Sequence, residues 1–413
     1  MAKKGKVSGI RDFNSIVSNF NRNIEDLLFY IIHTAPVLRE LDGRSQEARG
    51  KLRDILKSIP SGSVDERVDI SDETVEEAYT NIVGVLRDNV VLPWFERDQT
   101  ELLFRTSFII LLSYFDYLIS DIIHYHYRLH PDALAGKELT ITLDDLRQCS
   151  DRDEAIELIL EKKVESVLFR SLSGQLLFIE KDLAIDINRT AIRWDIVNEA
   201  IERRNLLVHN DGLVNRRYKR NVKGLVEGRE GGELKLGDVL NVDRVYFKRV
   251  YDEILLAGVI LANNCWRKWG GKDTFRAEES LARSLIKLLM RMEWGVAERL
   301  GAYVREVEIK NTHIKNDLTI NYCVALKRLG RKKRLKKEFQ GIDRGGLSLI
   351  RLALVSVLED DKDGFYENIK KVAEEGVVHK ESLLLPLDWP ALDEIVKDVD
   401  YKDKIEKAFS GVS

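Results

Sequence analysis

The sequence predicts an all-α protein. Three observations carry that expectation: scarce proline, apolar residues recurring every three or four positions, and glycines that fall between those runs. Only 6 of 413 residues are proline, far below the ~5% of ordinary proteins. They stand at 36, 60, 93, 131, 386 and 390, so no proline lies between Pro131 and Pro386. Proline removes a backbone donor and clashes with the preceding helical turn, so so long a stretch without it suits helix. With 33% charged and 44% hydrophobic residues, wholesale disorder, collagen and a membrane bundle are excluded. The formal net charge is −3. Contact with a polyanion must therefore come from local clusters of Lys and Arg.

The three cysteines (Cys149, Cys265, Cys323) are sparse, odd in number and far apart, which points to a reducing cytoplasm. The start, MAKKGKVSG, is basic with no apolar run behind it, unlike a signal peptide. The longest uncharged stretch, Ile254–Trp266, has 13 residues, too few to span a bilayer. The expectation is a cytoplasmic protein with no membrane partner.

Residues 12–32 carry Phe13, Ile16, Val17, Phe20, Ile24, Leu27, Leu28 and Ile31 at helical spacing. That is an amphipathic helix whose apolar face packs either on the body of the protein or on a second subunit. The interval 58–72, with Pro60-Ser61-Gly62-Ser63, reads as a loop, and 73–88 as a further helix. Residues 98–128 predict one long helix with an apolar centre, FIILLSYFDYLI, fit for the middle of a bundle. Asp116 interrupts that centre, and a carboxylate buried there needs a partner. Helices follow at about 142–149, 152–170 (Asp151 and Glu154 forming a capping signal), 172–185, 191–210 and 242–268. Five glycines within 224–237 mark a loop or small hairpin.

Gly270-Gly271-Lys272-Asp273 breaks the pattern. The expected organisation is an N-terminal helical region (1–95), a central helical bundle (96–269) and a C-terminal set of short paired helices (270–413). The C-terminal helices are expected near 276–291, 293–305, 315–329, 331–339, 345–358, 362–375 and 389–410. Runs such as Asn321–Gly330 place small residues and leucines at packing spacing and stop on glycine. This part resembles a degenerate tetratricopeptide-type repeat, without a clean 34-residue period, and an irregular helical domain is the alternative.

The segment with chemistry is Trp194–Gly212, which contains Arg204-Asn205-Leu206-Leu207-Val208-His209. Asn205 and His209 are one helical turn apart and share a face. Val197, Ala200, Ile201 and Val208 read as the apolar stripe, with Arg204 upon it, so Arg204 is expected either to reach a groove or to meet a buried acid. A permanently charged guanidinium, an imidazole that titrates near neutrality and an amide suit phosphodiester cleavage. The arginine stabilises charge on the phosphorane oxygens, and the histidine moves a proton. RNA brings its own nucleophile, the 2′-hydroxyl, so no metal is required. In-line cleavage uses both a base and an acid, and a two-fold dimer would supply a second histidine. A lone Arg and His on one helix also occur by chance, and a structural role stands beside the catalytic one.

Arg204-Asn205-x-x-x-His209 resembles the R-N-x-x-x-H signature of the HEPN superfamily (higher eukaryotes and prokaryotes nucleotide-binding domain). The extended run Arg203–Asn215 is similar to HEPN proteins of the bacterial abortive-infection type. The helix at 108–123, with Asp116 in a Ser-Tyr-Phe-Asp-Tyr setting, resembles the family's first core helix, and Asn264–Trp269 is similar to its closing helix. The resemblance covers about 98–269. It implies an α-helical HEPN-type bundle and a metal-independent endoribonuclease that works as a homodimer without a cofactor. Arg204 would bind the scissile phosphate, His209 would transfer the proton, Asn205 would orient one of them, and Asp116 would position Arg204 or tune His209. The products would be a 2′,3′-cyclic or 3′-phosphate and a 5′-hydroxyl. Where toxins silenced by an antitoxin nucleotidyltransferase carry tyrosine, this chain has Asp211. That departure argues against control by tyrosine AMPylation at this position. The implied setting is anti-phage defence as a toxin-like effector, with a protein sensor or antitoxin as partner. A non-catalytic adaptor that dimerises and recruits partners through the C-terminal helices is the alternative.

Two basic runs flank this reading. Arg203, Arg216, Arg217, Lys219 and Arg220 are the expected RNA contacts, with a solvated helix end as the plainer explanation. Lys327–Lys337 holds eight basic residues in eleven and fits either RNA, an acidic partner or a solvated face. His126 and His130 are one turn apart, but with no cysteine near them no metal is expected.

Overall fold

The computed structural model describes residues 12–58, 73–88, 98–134, 141–223, 234–376, 378–384 and 390–410. The protein is all-α: among the described residues there is no strand, and one isolated antiparallel bridge joins Leu213 and Val239. The helices are α1 (Phe13–Ser58), α2 (Glu73–Asp88), α3 (Gln99–Leu129), α4 (Leu143–Gln148), α5 (Arg152–Leu168), α6 (Leu172–Lys181), α7 (Trp194–Asn210), α8 (Arg216–Asn221) and α9 (Arg244–Trp269). After the 3-10 turn Gly271–Asp273 come α10 (Thr274–Met290), α11 (Trp294–Glu306), α12 (Thr312–Arg328), α13 (Lys332–Gln340), α14 (Leu349–Leu358), α15 (Lys362–Glu375), α16 (Lys380–Leu384) and α17 (Tyr401–Phe409).

Two expectations of the sequence give way. The first helix continues to Ser58, 46 residues, through Pro36. Ala35 and Ala48 extend its buried face, and such small side chains leave a faint hydrophobic period. The single helix expected at 389–410 is instead two 3-10 turns, Pro390–Asp393 and Ile395–Lys397, followed by α17. Asp398 takes an extended backbone there, with its carboxylate held by Lys362 at 2.7 Å. The loop expected after Ser58 and most of the glycine-rich segment (224–233) lie outside the described residues.

The chain divides into two compact units. One comprises 1–19, 116–197 and 252–413; the other comprises 20–115 and 198–251. In the second unit the core is aromatic. Phe104 faces Phe247 with ring centroids 5.8 Å apart, and Phe108 faces Tyr246 at 5.6 Å. Ile24, Leu27 and Ile31 of α1 and Leu111, Leu112 and Phe115 of α3 complete it, all buried. Asp42 of α1 accepts the backbone N–H groups of Gln99 and Thr100 at 2.7 and 2.9 Å. A side chain distant in sequence thereby serves the exposed donors that open α3.

In the first unit Glu253 is fully buried and held by two arginines. Arg193 donates through Nε at 2.6 Å, and Arg299 through Nη1 at 2.7 Å and Nη2 at 2.5 Å. The pair of guanidiniums offsets the desolvation of the carboxylate, and Arg299 also donates to the Ala191 carbonyl. Asp151 caps α5 by accepting the Glu154 N–H at 2.8 Å, as its spacing predicts. From α10 onward successive helices pack on their neighbours: α10 on α11, α11 on α12, α12 on α14, α14 on α15 and α15 on α17. Phe365, Ile369, Tyr401 and Ile405 are central to the last cluster. By length and composition α3 could cross a membrane, but half of its apolar window is buried within the protein.

Candidate functional site

The site is built from the C-terminal half of α7, the reversal after it, and α8, all within the second unit. The buried face of α7 runs through Ile196, Val197, Ala200, Arg203, Leu206 and Leu207. This face is one position away from the expected stripe. Val208 is 50% exposed, whereas Leu206 and Leu207 are buried. One position is about 100° of helix, and it exchanges the roles of two adjacent arginines. Arg203 takes the interior position, at 3% exposure, and Arg204 is half-buried beside it.

Arg203 is therefore a structural cation, which corrects its expected place among the RNA contacts. Its Nε donates to Glu199 Oε1 at 2.8 Å and its Nη1 to the Asn241 carbonyl at 3.1 Å. The guanidinium carbon lies 3.8 Å from the centroid of the Tyr246 ring. Glu199 also accepts the hydroxyls of Tyr218 and Tyr246, each at 2.6 Å. A buried carboxylate is tolerable when it is fully hydrogen-bonded and paired. Burial, with Glu199 beside them, raises both tyrosine hydroxyls above their ordinary range, so they stay protonated and donate. This cluster ties α7 to α8 and α9.

The reversal after α7 depends on two left-handed residues, Asp211 (φ 47°) and Gly212 (φ 83°). A Cβ on Gly212 would meet the Leu240 carbonyl oxygen at 2.9 Å, so glycine is required there for space as well as for backbone. Aspartate tolerates the left-handed region better than most residues. Arg105 of α3 anchors the turn, donating to the Leu207 carbonyl at 2.9 Å and to Asp211 at 2.6 Å. Segment 212–214 then pairs with 237–240: Leu240 N–H to the Gly212 carbonyl (2.9 Å) and Val214 N–H to the Asp238 carbonyl (2.8 Å). Leu206, Val214, Tyr218, Val222 and Leu240 form the apolar pad under α8.

On this base stand the expected catalytic residues. His209 is exposed at the last turn of α7, and its ring makes no hydrogen bond or ion pair among the described residues. Asn205, half-buried, is one turn earlier on the same face. Arg216, Arg217 and Arg220 are exposed on α8 and have no ion-pair partner among the described residues. Lys219 is half-buried. Asn215 caps α8 by accepting the Tyr218 N–H at 2.9 Å. Asp116 is half-buried on α3 and belongs to the first unit.

Sequence reasoning missed Glu199 and Arg105. Glu199 had a signal, since it stands four residues before Arg203 and so shares its face. Arg105 had none, because its partners are more than 100 positions away. Among the described residues no three His, Cys, Asp or Glu side chains gather as a metal site. His126 is buried with its ring centroid 5.4 Å from that of Trp269. No family model, curated protein or solved structure matches the chain.

Proposed function

We propose that this protein is a metal-independent endoribonuclease of HEPN type, using His209 for proton transfer and Arg204 for charge stabilisation. The observation that carries the reading is the solvent-facing imidazole of His209, one turn from Asn205 and followed by the exposed cations Arg216, Arg217 and Arg220. Such an arrangement suits a ribose-phosphate strand: exposed arginines meet phosphates, and an accessible imidazole reaches the 2′-hydroxyl. That hydroxyl loses its proton to one imidazole as its oxygen attacks phosphorus. The 5′-oxygen departs and takes a proton from a second imidazole, leaving a 2′,3′-cyclic phosphate and a 5′-hydroxyl. With one such histidine per chain, a homodimer supplies the pair. In this reading residues 270–413 are a tetratricopeptide-like sensor or partner module. The protein is then a cytoplasmic toxin-like effector of anti-phage defence, held in check until infection.

The test is RNA decay with the purified full chain in EDTA. Wild type should cleave and release 5′-hydroxyl ends. His209→Ala and Arg204→Ala should not, while keeping the helical signal of the wild type. Equal decay in all three proteins removes the nuclease and leaves a non-catalytic adaptor.

A further inference from the structure

The first unit carries a second cationic surface, on α13. Its sequence, KKRLKKEFQ, follows a helix end that is also basic, yet the cations divide sharply by their partners. Lys327 and Arg328 pair with Glu394, at 3.1 and 2.9 Å. Arg334 and Arg331 meet Glu298, at 2.8 and 3.5 Å. Arg344 pairs with Glu359. Lys332, Lys333, Lys336 and Lys337 are all exposed, and their side chains have no carboxylate among the described residues. They form two rows of two, each row advancing by four residues, about 6 Å along the helix. Beside the row Lys332–Lys336 runs an open groove of about 530 Å³, which Leu335 and Phe339 also line. Both apolar side chains are half-buried.

We infer that α13 and this groove bind single-stranded nucleic acid, with the four lysines on consecutive phosphates and Phe339 under a base. The division of cations selects this occupant. Arginine's planar fork is the group suited to two-point recognition of a carboxylate. Every arginine in this patch is already engaged by one, and the cations left over are all lysines. Mobile, strongly hydrated point charges suit a regularly charged backbone, whose binding gains from counterion release and asks little of direction. An aromatic ring among them adds stacking that any base satisfies. An acidic protein segment would gain less here, because the groups best fitted to it are taken.

The binding is read separately from cleavage by using a 2′-O-methyl RNA 20-mer, which has no free 2′-hydroxyl. Fluorescence anisotropy with the full chain over a salt series gives both affinity and its salt slope. Changing all four lysines to glutamine should weaken binding at least tenfold at 0.15 M salt. The slope of log K against log salt should fall by about 3, at ~0.7 per phosphate contact. Changing them to arginine should leave affinity within about twofold. Phe339→Ala should weaken binding about fivefold or more at unchanged slope. Affinity and slope that do not move in the glutamine variant, with its helical signal intact, overturn the inference. So does equal displacement of the RNA by a polyglutamate peptide of matched charge.

Discussion

Arg203 and Glu199 are one turn apart on α7, joined at 2.8 Å, and both are at least 95% buried. Two tyrosine hydroxyls close the remaining valences of the carboxylate. Removing Glu199 would leave a buried guanidinium and two hydroxyls without their acceptor. Glu199→Ala is expected to cost about 3–5 kcal/mol, the usual consequence of orphaning one member of an interior ion pair. Tyr218→Phe, which removes a single donor, should cost about 1 kcal/mol. Urea unfolding of both variants checks the order. A loss for Glu199→Ala no larger than that for Tyr218→Phe would mean that the cluster does not hold α7.

The surface residues of the same helix should separate activity from stability. His209 is exposed and makes no hydrogen bond among the described residues, so His209→Ala should unfold within about 0.5 kcal/mol of wild type. Under the proposed nuclease function, its RNA cleavage should fall by about 10²-fold or more, the range of a lost proton-transfer group. Parallel melting curves and initial rates report the two effects.

Asp211→Ala tests the turn that presents His209. The Arg105–Asp211 pair is largely solvent-facing on the aspartate side, at 68% exposure, so its contribution to stability is at most about 1 kcal/mol. Loss of the anchor and of a residue that accepts φ near 47° should nonetheless loosen the last turn of α7. Hydrogen exchange at Leu213 and Leu240 is expected to quicken in this variant. In Gly212→Ala it should quicken further, because the added methyl meets the Leu240 carbonyl oxygen.

Gly301→Ala probes the close approach of α11 and α12. A Cβ there would lie 2.2 Å from Tyr322 Cδ2 and 3.0 Å from its Cβ. The ring is packed and has little room to move, so overpacking of about 1–3 kcal/mol is expected, read as a lower midpoint in thermal unfolding. Tyr322→Leu in the same chain should recover part of it.

Stability should also depend on pH through His124. Burial pushes its imidazole below the ordinary histidine range, against the pull of Glu157, 3.9 Å away. The folded protein thus binds this proton less readily than the unfolded chain does. The contribution is complete above the unfolded value of about 6.5 and is lost as pH falls through it towards the lower folded value. Unfolding free energies at pH 7.5 and pH 5 should differ less in His124→Gln than in wild type.

The helices were largely legible in the sequence because their apolar period is local. The span 362–375 matches α15, and 98–128 is within one residue of α3 at each end. What escaped was the phase of that period on α7. Val208 looks like a core residue and is half exposed, while the charge of Arg203 hid an interior position. Telling Arg203 from Arg204 takes knowledge of Tyr218 and Tyr246, which arrive from α8 and α9. The candidate residues Asn205 and His209 were visible as a spacing, but the Arg105 anchor was not, since nothing near it in the chain announces Asp211.

The exposed ring of His209 makes no hydrogen bond among the described residues, and fixing such a side chain in one rotamer costs a fraction of a kcal/mol to about 1 kcal/mol. A ligand that engages this ring has to supply that ordering. Under the proposed nuclease function, the strand's contacts with the exposed arginines of α8 would have to offset that cost before any proton moves.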